Sequence, residues 1–136
     1  MVGFEINVIG SIVAAIAAMA IGFIWFGPLF GKKWAELSGM KTSEAEMKKE
    51  MPKGAVLGLI TAFIQAAILS AFIVGLGAAA IGDALAVGFL AWLGFSATLQ
   101  FGAVIWEKQP MQLFIIHTAE CLIVLLVQAA ILVSIM

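Results

Sequence analysis

The sequence predicts an all-α fold: a four-helix transmembrane bundle with a short amphipathic helical cytoplasmic loop between helices one and two. Three observations carry this expectation. The 136 residues are 64% hydrophobic and 11% charged, with a mean hydropathy of +1.17, far above soluble domains. Four apolar stretches reach the roughly 20 residues a helix needs to cross hydrocarbon. The lysines are confined to two of the three connecting loops. Residues 1–136 therefore form one integral membrane domain.

The first span is expected over Glu5–Phe26, where Gly27-Pro28 should stop it because Pro cannot continue a helix. Ala15-Ile16-Ala17 and Ala18-Met19-Ala20 look like signal cleavage sites. No basic segment precedes them and the apolar run continues, so this stretch is expected to remain as a span. Pro52 should close the first loop and precede a second span over Gly54–Val74. Asp83 is the expected N-cap of a third span, Asp83–Trp106. Glu107-Lys108-Gln109-Pro110 is a tight turn into the fourth, Met111–Ile135, making an antiparallel hairpin. Within the first loop, Ser43 and Glu46 make a capping box and Glu44 precedes Lys48 by one turn. Trp34 with Leu37, and Met47 with Met51, give two short helices an apolar side for the headgroup layer.

Lys32, Lys33, Lys41, Lys48, Lys49 and Lys53 fall in the first loop and Lys108 in the third, while the second has none. The positive-inside rule then makes both Lys-bearing loops cytoplasmic and both termini external, in a prokaryotic inner membrane. Trp25, Trp34 and Trp106 are expected as an inner aromatic belt. The net charge of −1 offers nothing to nucleic acid, and without Arg the chain lacks the bidentate clamp of many phosphate sites. The single Cys121 makes no internal disulfide. No cofactor motif is present, and membrane lipids are the expected surroundings.

His117 and Glu120 sit one turn apart in the fourth span, where a charged residue costs about 2.5–3.5 kcal/mol at the helix centre. Gln65 and Gln100 fall at a similar depth, all four lying roughly 8–17 Å from the cytoplasmic ends of their helices. If His117 and Glu120 touch, they share a proton in a coupled titration, as a proton relay requires. A polar line of Gln65, Gln100, His117 and Glu120 therefore suggests a small transport or channel-like protein moving a proton, small cation or small solute. His117, Glu120 and Cys121 are weak metal candidates: three mixed ligands on one helix make no recognisable metal motif. Gly94-Phe95-Ser96-Ala97 resembles the Gly-x-Ser-Gly of rhomboid proteases but lacks the final Gly, and no other catalytic motif stands out, so catalysis is disfavoured.

Gly54, Gly58, Ala62 and Ala66 repeat at four-residue spacing, as do Gly94, Thr98 and Gly102, which suits close helix packing within the chain or in a homo-oligomer. The competing function is a non-transporting scaffold or accessory subunit that holds a partner protein or lipid through these faces.

Trp25-Phe26-Gly27-Pro28-Leu29-Phe30-Gly31-Lys32-Lys33-Trp34 resembles the hallmark of a family of small prokaryotic membrane proteins, domain of unknown function 1761. Asn7 and Trp106-Glu107-Lys108-Gln109-Pro110 look like further family features. The resemblance covers essentially the whole chain and implies four helices with a longer first loop; it brings no activity. Physically, the motif sets a helix break beside two Trp anchors and two lysines that can face lipid phosphates. Glu107 at the same level makes Lys32 and Glu107 candidates for an inner mouth.

Overall fold

A computed structural model describes residues 5–38 and 44–135, which form five helices and no strands. Four are long and apolar enough to cross a membrane: α1 (Val8–Leu29), α3 (whose part Pro52–Gly75 spans), α4 (Ile81–Trp106) and α5 (Met111–Ile135). The short α2 (Gly31–Ser38) follows α1, and α3 covers Glu44–Gly75 in all. The all-α, four-span bundle expected from hydropathy is the fold.

Asn7 starts α1. Its Oδ1 accepts from the Gly10 N–H at 3.0 Å, satisfying an amide that has no partner within the helix. At the other end Pro28 lies inside the last turn, and the helix ends one residue later, at Leu29. Trp25–Leu29 widen into a π turn closed by Phe30 N–H donating to the Trp25 carbonyl at 2.9 Å. In an α-helix the Pro ring would crowd the carbonyl four residues back; the wider turn relieves that clash. The chain then reverses into α2. A Cβ on Gly31 would stand 2.8 Å from the Phe26 carbonyl oxygen, so this reversal requires glycine. Lys32, Lys33 and Glu36 are exposed on α2 while Trp34 and Leu37 turn inward.

The second helix expected in the first loop is instead continuous with the second span, because α3 runs through Pro52. The Ser43–Glu46 capping box, the Glu44–Lys48 pair and the Met47–Met51 face lie outside the described residues and side chains. The C-terminus of α3 is a Schellman motif: Gly77 N–H donates to the Val74 carbonyl at 3.0 Å and Ala78 N–H to Ile73 at 2.9 Å. Gly77 takes φ +71°, and the buried Ile73 and Ala78 supply the accompanying apolar contact. α4 begins at Ile81, two residues before the expected start. Ala80 is its cap, and Asp83 sits in the first turn, where a carboxylate favours the helix dipole. Mid-span, Trp92–Ala97 form a second π segment.

α5 is the centre of the bundle, packed against α1 and α4 and, less extensively, α3; α3 and α4 scarcely meet. The main core lies toward the α3–α4 turn, where Ile73, Leu125, Ala129 and Leu132 are buried together. There Gly88 of α4 comes within van der Waals range of the Leu125 carbonyl, as small residues in membrane helices permit. Ala62 and Ala66 are buried, and Gly58 faces Met19 of α1. A Cβ on Gly54, Gly94 or Gly102 would meet nothing within 4 Å among the described residues, so these glycines do not pack against them.

Candidate functional site

On the Lys-bearing side of this core α3 and α5 part, and the gap between them holds the polar residues. A cleft of about 310 Å³ lies between α1, α3 and α5, lined by Gly22, Thr61, Gln65, Glu120, Cys121 and Val124 among others. The half-buried Glu120 carboxyl faces Gly22; a Cβ there would be 3.9 Å from its Oε1. A larger apolar cavity of about 490 Å³ lies between α3, α4 and α5 and shares Gln65 and Cys121 with the first. Gln65 and Cys121 therefore stand where the two spaces meet.

Beside Glu120 a hydrogen-bonded chain joins α5 to α4. Cys121, the residue after Glu120 and a lining residue of the same cleft, accepts from Gln100 Nε2 at 3.3 Å. Gln100 Nε2 also donates to Ser96 Oγ at 2.7 Å, and Thr118 Oγ1 makes a long 3.5 Å contact with Gln100 Oε1. Among the described residues no cation forms an ion pair with Glu120. A carboxylate so placed is costly in hydrocarbon until a proton or another cation neutralises it.

His117 does not join this chain. Its Nε2 accepts from Trp34 Nε1 at 3.2 Å, and its ring lies 5.2 Å from that of Phe26, which in turn lies 5.3 Å from Trp34. No hydrogen bond or ion pair joins His117 to Glu120 among the described residues, so the shared-proton pair is replaced by two separate environments. His117 shares with Gln100 and Gln109 a smaller space of about 210 Å³. No group of three His, Cys, Asp or Glu side chains placed to hold a metal occurs among the described residues, so His117, Glu120 and Cys121 are not gathered into one cluster. Lys32 and Glu107 are both exposed and make no ion pair with each other among the described residues.

Two features were not legible as site elements from the sequence. Three indoles grip successive residues of α5: Trp25 Nε1 donates to the Ile116 carbonyl at 3.0 Å, Trp34 to His117, and Trp92 to the Thr118 carbonyl at 2.8 Å. Trp25 and Trp34 thus point their N–H groups into the bundle rather than at headgroups, whereas Trp106 is exposed. The second feature is Gln128, fully buried two turns beyond Glu120. Its Nε2 donates to the carbonyls of Ala14 at 3.3 Å and Ala62 at 3.4 Å, and its Oε1 has no donor among the described residues. An orphaned buried acceptor costs about 1–3 kcal/mol. The 120–124–128 spacing, one helix face, is the sequence signal that points to it.

No curated protein and no solved structure matches the chain. The family model described as "Protein of unknown function (DUF1761)" matches residues 9–133, nearly the full length and including the Trp25–Trp34 motif, and the chain belongs to that family.

Proposed function

We propose that this membrane protein is a small transporter or channel that carries a proton or small cation past Glu120. The observation that supports the reading is a mid-span carboxyl that lines a cleft, has no ion-pair partner among the described residues and is flanked by Gln65 and Cys121. In a low-dielectric cleft such a group binds and releases a positive charge, which is the elementary step of cation passage. Gln100, Ser96 and Cys121 form the polar wall beside it, and Trp34 on His117 holds α2 beside the mouth. Lys32, Lys33 and Lys108 make the cleft side cytoplasmic in a cell membrane, with both termini outside. Single cysteines at Gln109 and Ala79, in a Cys121→Ser background, should label from opposite sides.

In liposomes, Glu120→Gln should abolish pH-gradient-driven flux. Flux at the wild-type rate in Glu120→Gln, or no flux in the wild-type protein, defeats the reading. A second reading has one specific observation behind it: the Gly94–Thr98–Gly102 face of α4 is unpacked among the described residues. That face suits a homo-oligomer, or a scaffold that seats a partner subunit or lipid. A foreign subunit co-purifying in fixed ratio, together with unaltered physiology in Glu120→Gln, would favour the scaffold.

A further inference from the structure

The cleft at Glu120 ends against Val124, which is buried with Ala15, Ala18 and Ala62. One turn further on the same face of α5 is Gln128, about 12 Å beyond Glu120 along the helix. Its amide bridges α5 to α1 and α3 through the Ala14 and Ala62 carbonyls. Turning the amide over would set its oxygen against both carbonyls, so the orphan is the oxygen. Another turn on, at the Leu132 carbonyl, Asn7 Nδ2 donates at 3.3 Å, and Asn7 N–H donates to the buried Ser70 Oγ at 3.1 Å. Polar groups thus recur along a single seam from the cleft to the opposite end of the bundle. On the cleft side the buried side chains are Val124 and the alanines Ala15, Ala18 and Ala62; toward the other end Leu69, Ile73 and Leu132 join Ala14 and Ala66. A buried polar group left half-satisfied needs a reason, since an apolar side chain of similar shape would pack there without the penalty.

We infer that Gln128 Oε1 is a water-binding station on a proton path that continues from Glu120 through the α1–α3–α5 seam, so that the transported species is a proton. This rests on the transport reading above. Water entering past Val124 donates one hydrogen bond to Oε1 and is held for relay. The Glu120 carboxyl gives its proton to the first water, whose far O–H bond breaks as the next forms; each oxygen gains one proton and loses one. Gln128 stays neutral throughout, accepting only a hydrogen bond. An alkali cation would have to shed its hydration shell between apolar side chains with one amide oxygen in replacement, so the seam excludes it.

The test is flux in liposomes carrying the full chain, with the membrane potential clamped, for wild type, Glu120→Gln, Gln128→Leu and Val124→Ala. Gln128→Leu should lower proton flux about fivefold, the factor one hydrogen bond of about 1 kcal/mol is worth, while melting no earlier than wild type. Val124→Ala should raise proton flux, and a sodium gradient should drive none. Should Gln128→Leu fail to assemble, Gln128→Met and the seam-narrowing Val124→Leu serve, and undiminished flux in either overturns the inference. Flux lost in Glu120→Gln but unchanged in Gln128→Leu overturns the seam alone, leaving Glu120 as the site of another route. Flux unchanged in both removes the transport reading and this inference with it, and Glu120-dependent sodium flux overturns the assignment to the proton.

Discussion

Replacing Gly31 with Ala should undock α2 from the bundle. The new Cβ would sit 2.8 Å from the Phe26 carbonyl oxygen and 3.4 Å from its carbon; both are backbone atoms, so the helix itself must move. Movement of α2 sacrifices the 3.2 Å bond from Trp34 to His117 and the Phe26–Trp34 ring contact, and it strains the Phe26–His117 contact. One hydrogen bond at about 1 kcal/mol and two ring contacts at about 0.5–1.5 kcal/mol each sum to about 2–4 kcal/mol. At about 1.4 kcal/mol per decade, local opening of α2 becomes roughly 30- to 1000-fold more frequent. Hydrogen exchange of residues 31–38 in nanodiscs reads this directly. Gly27→Ala is the control, because no described residue lies within 4 Å of its Cβ. Ala is intrinsically the better helix former, so propensity alone predicts slower exchange in Gly31→Ala. Slower or unchanged exchange would refute the reasoning.

Gly77→Ala forces a left-handed backbone at φ +71° on a residue with a side chain and should destabilise the bundle by about 1–2 kcal/mol; Gly82→Ala, with open space and no such φ, should leave the melting temperature close to wild type. Trp92→Phe removes the 2.8 Å bond to the Thr118 carbonyl and should cost about 0.5–1.5 kcal/mol in thermal or chemical unfolding. A neutral result there would mean that the indole contributes by shape alone. Gly88→Leu should separate α4 from α5, because Leu125 and Ala129 already crowd that position, and should lower helical content or expression far more than Gly94→Leu.

Hydropathy made the four spans legible because crossing hydrocarbon sets both length and composition, and Glu107–Pro110 was too short for anything but a turn. Helix ends were less legible where backbone geometry decides. Pro28 reads as a stop, and the helix does end at Leu29, but through a π turn that takes the Pro inside. Pro52 reads as a boundary, but α3 runs through it. Asp83 reads as a cap, but the chain enters the helix at Ala80. The site was half legible. Intramembrane polar residues announce themselves by cost, so Glu120, Gln65, Gln100 and His117 were visible. Their spacing along one helix does not say which neighbour each will face. His117 and Glu120 are three residues apart, yet α2 claims the first and the α1–α3 cleft the second. The inward indoles and the orphan oxygen of Gln128 depend on which helices meet, information that no single span carries.

Native Cys121 offers the most direct measurement, because it lines the cleft beside Glu120 and is the chain's single cysteine. A charged, membrane-impermeant thiosulfonate reacts with it only where water reaches the thiol. Applied to oriented vesicles and followed by intact mass, the reagent should form one adduct from the Lys-bearing side and none from the other, and flux should fall in step with modification. A cysteine that stays unmodified until detergent is added, in vesicles whose flux persists, would contradict a wet cleft at Glu120 and the transport reading built on it.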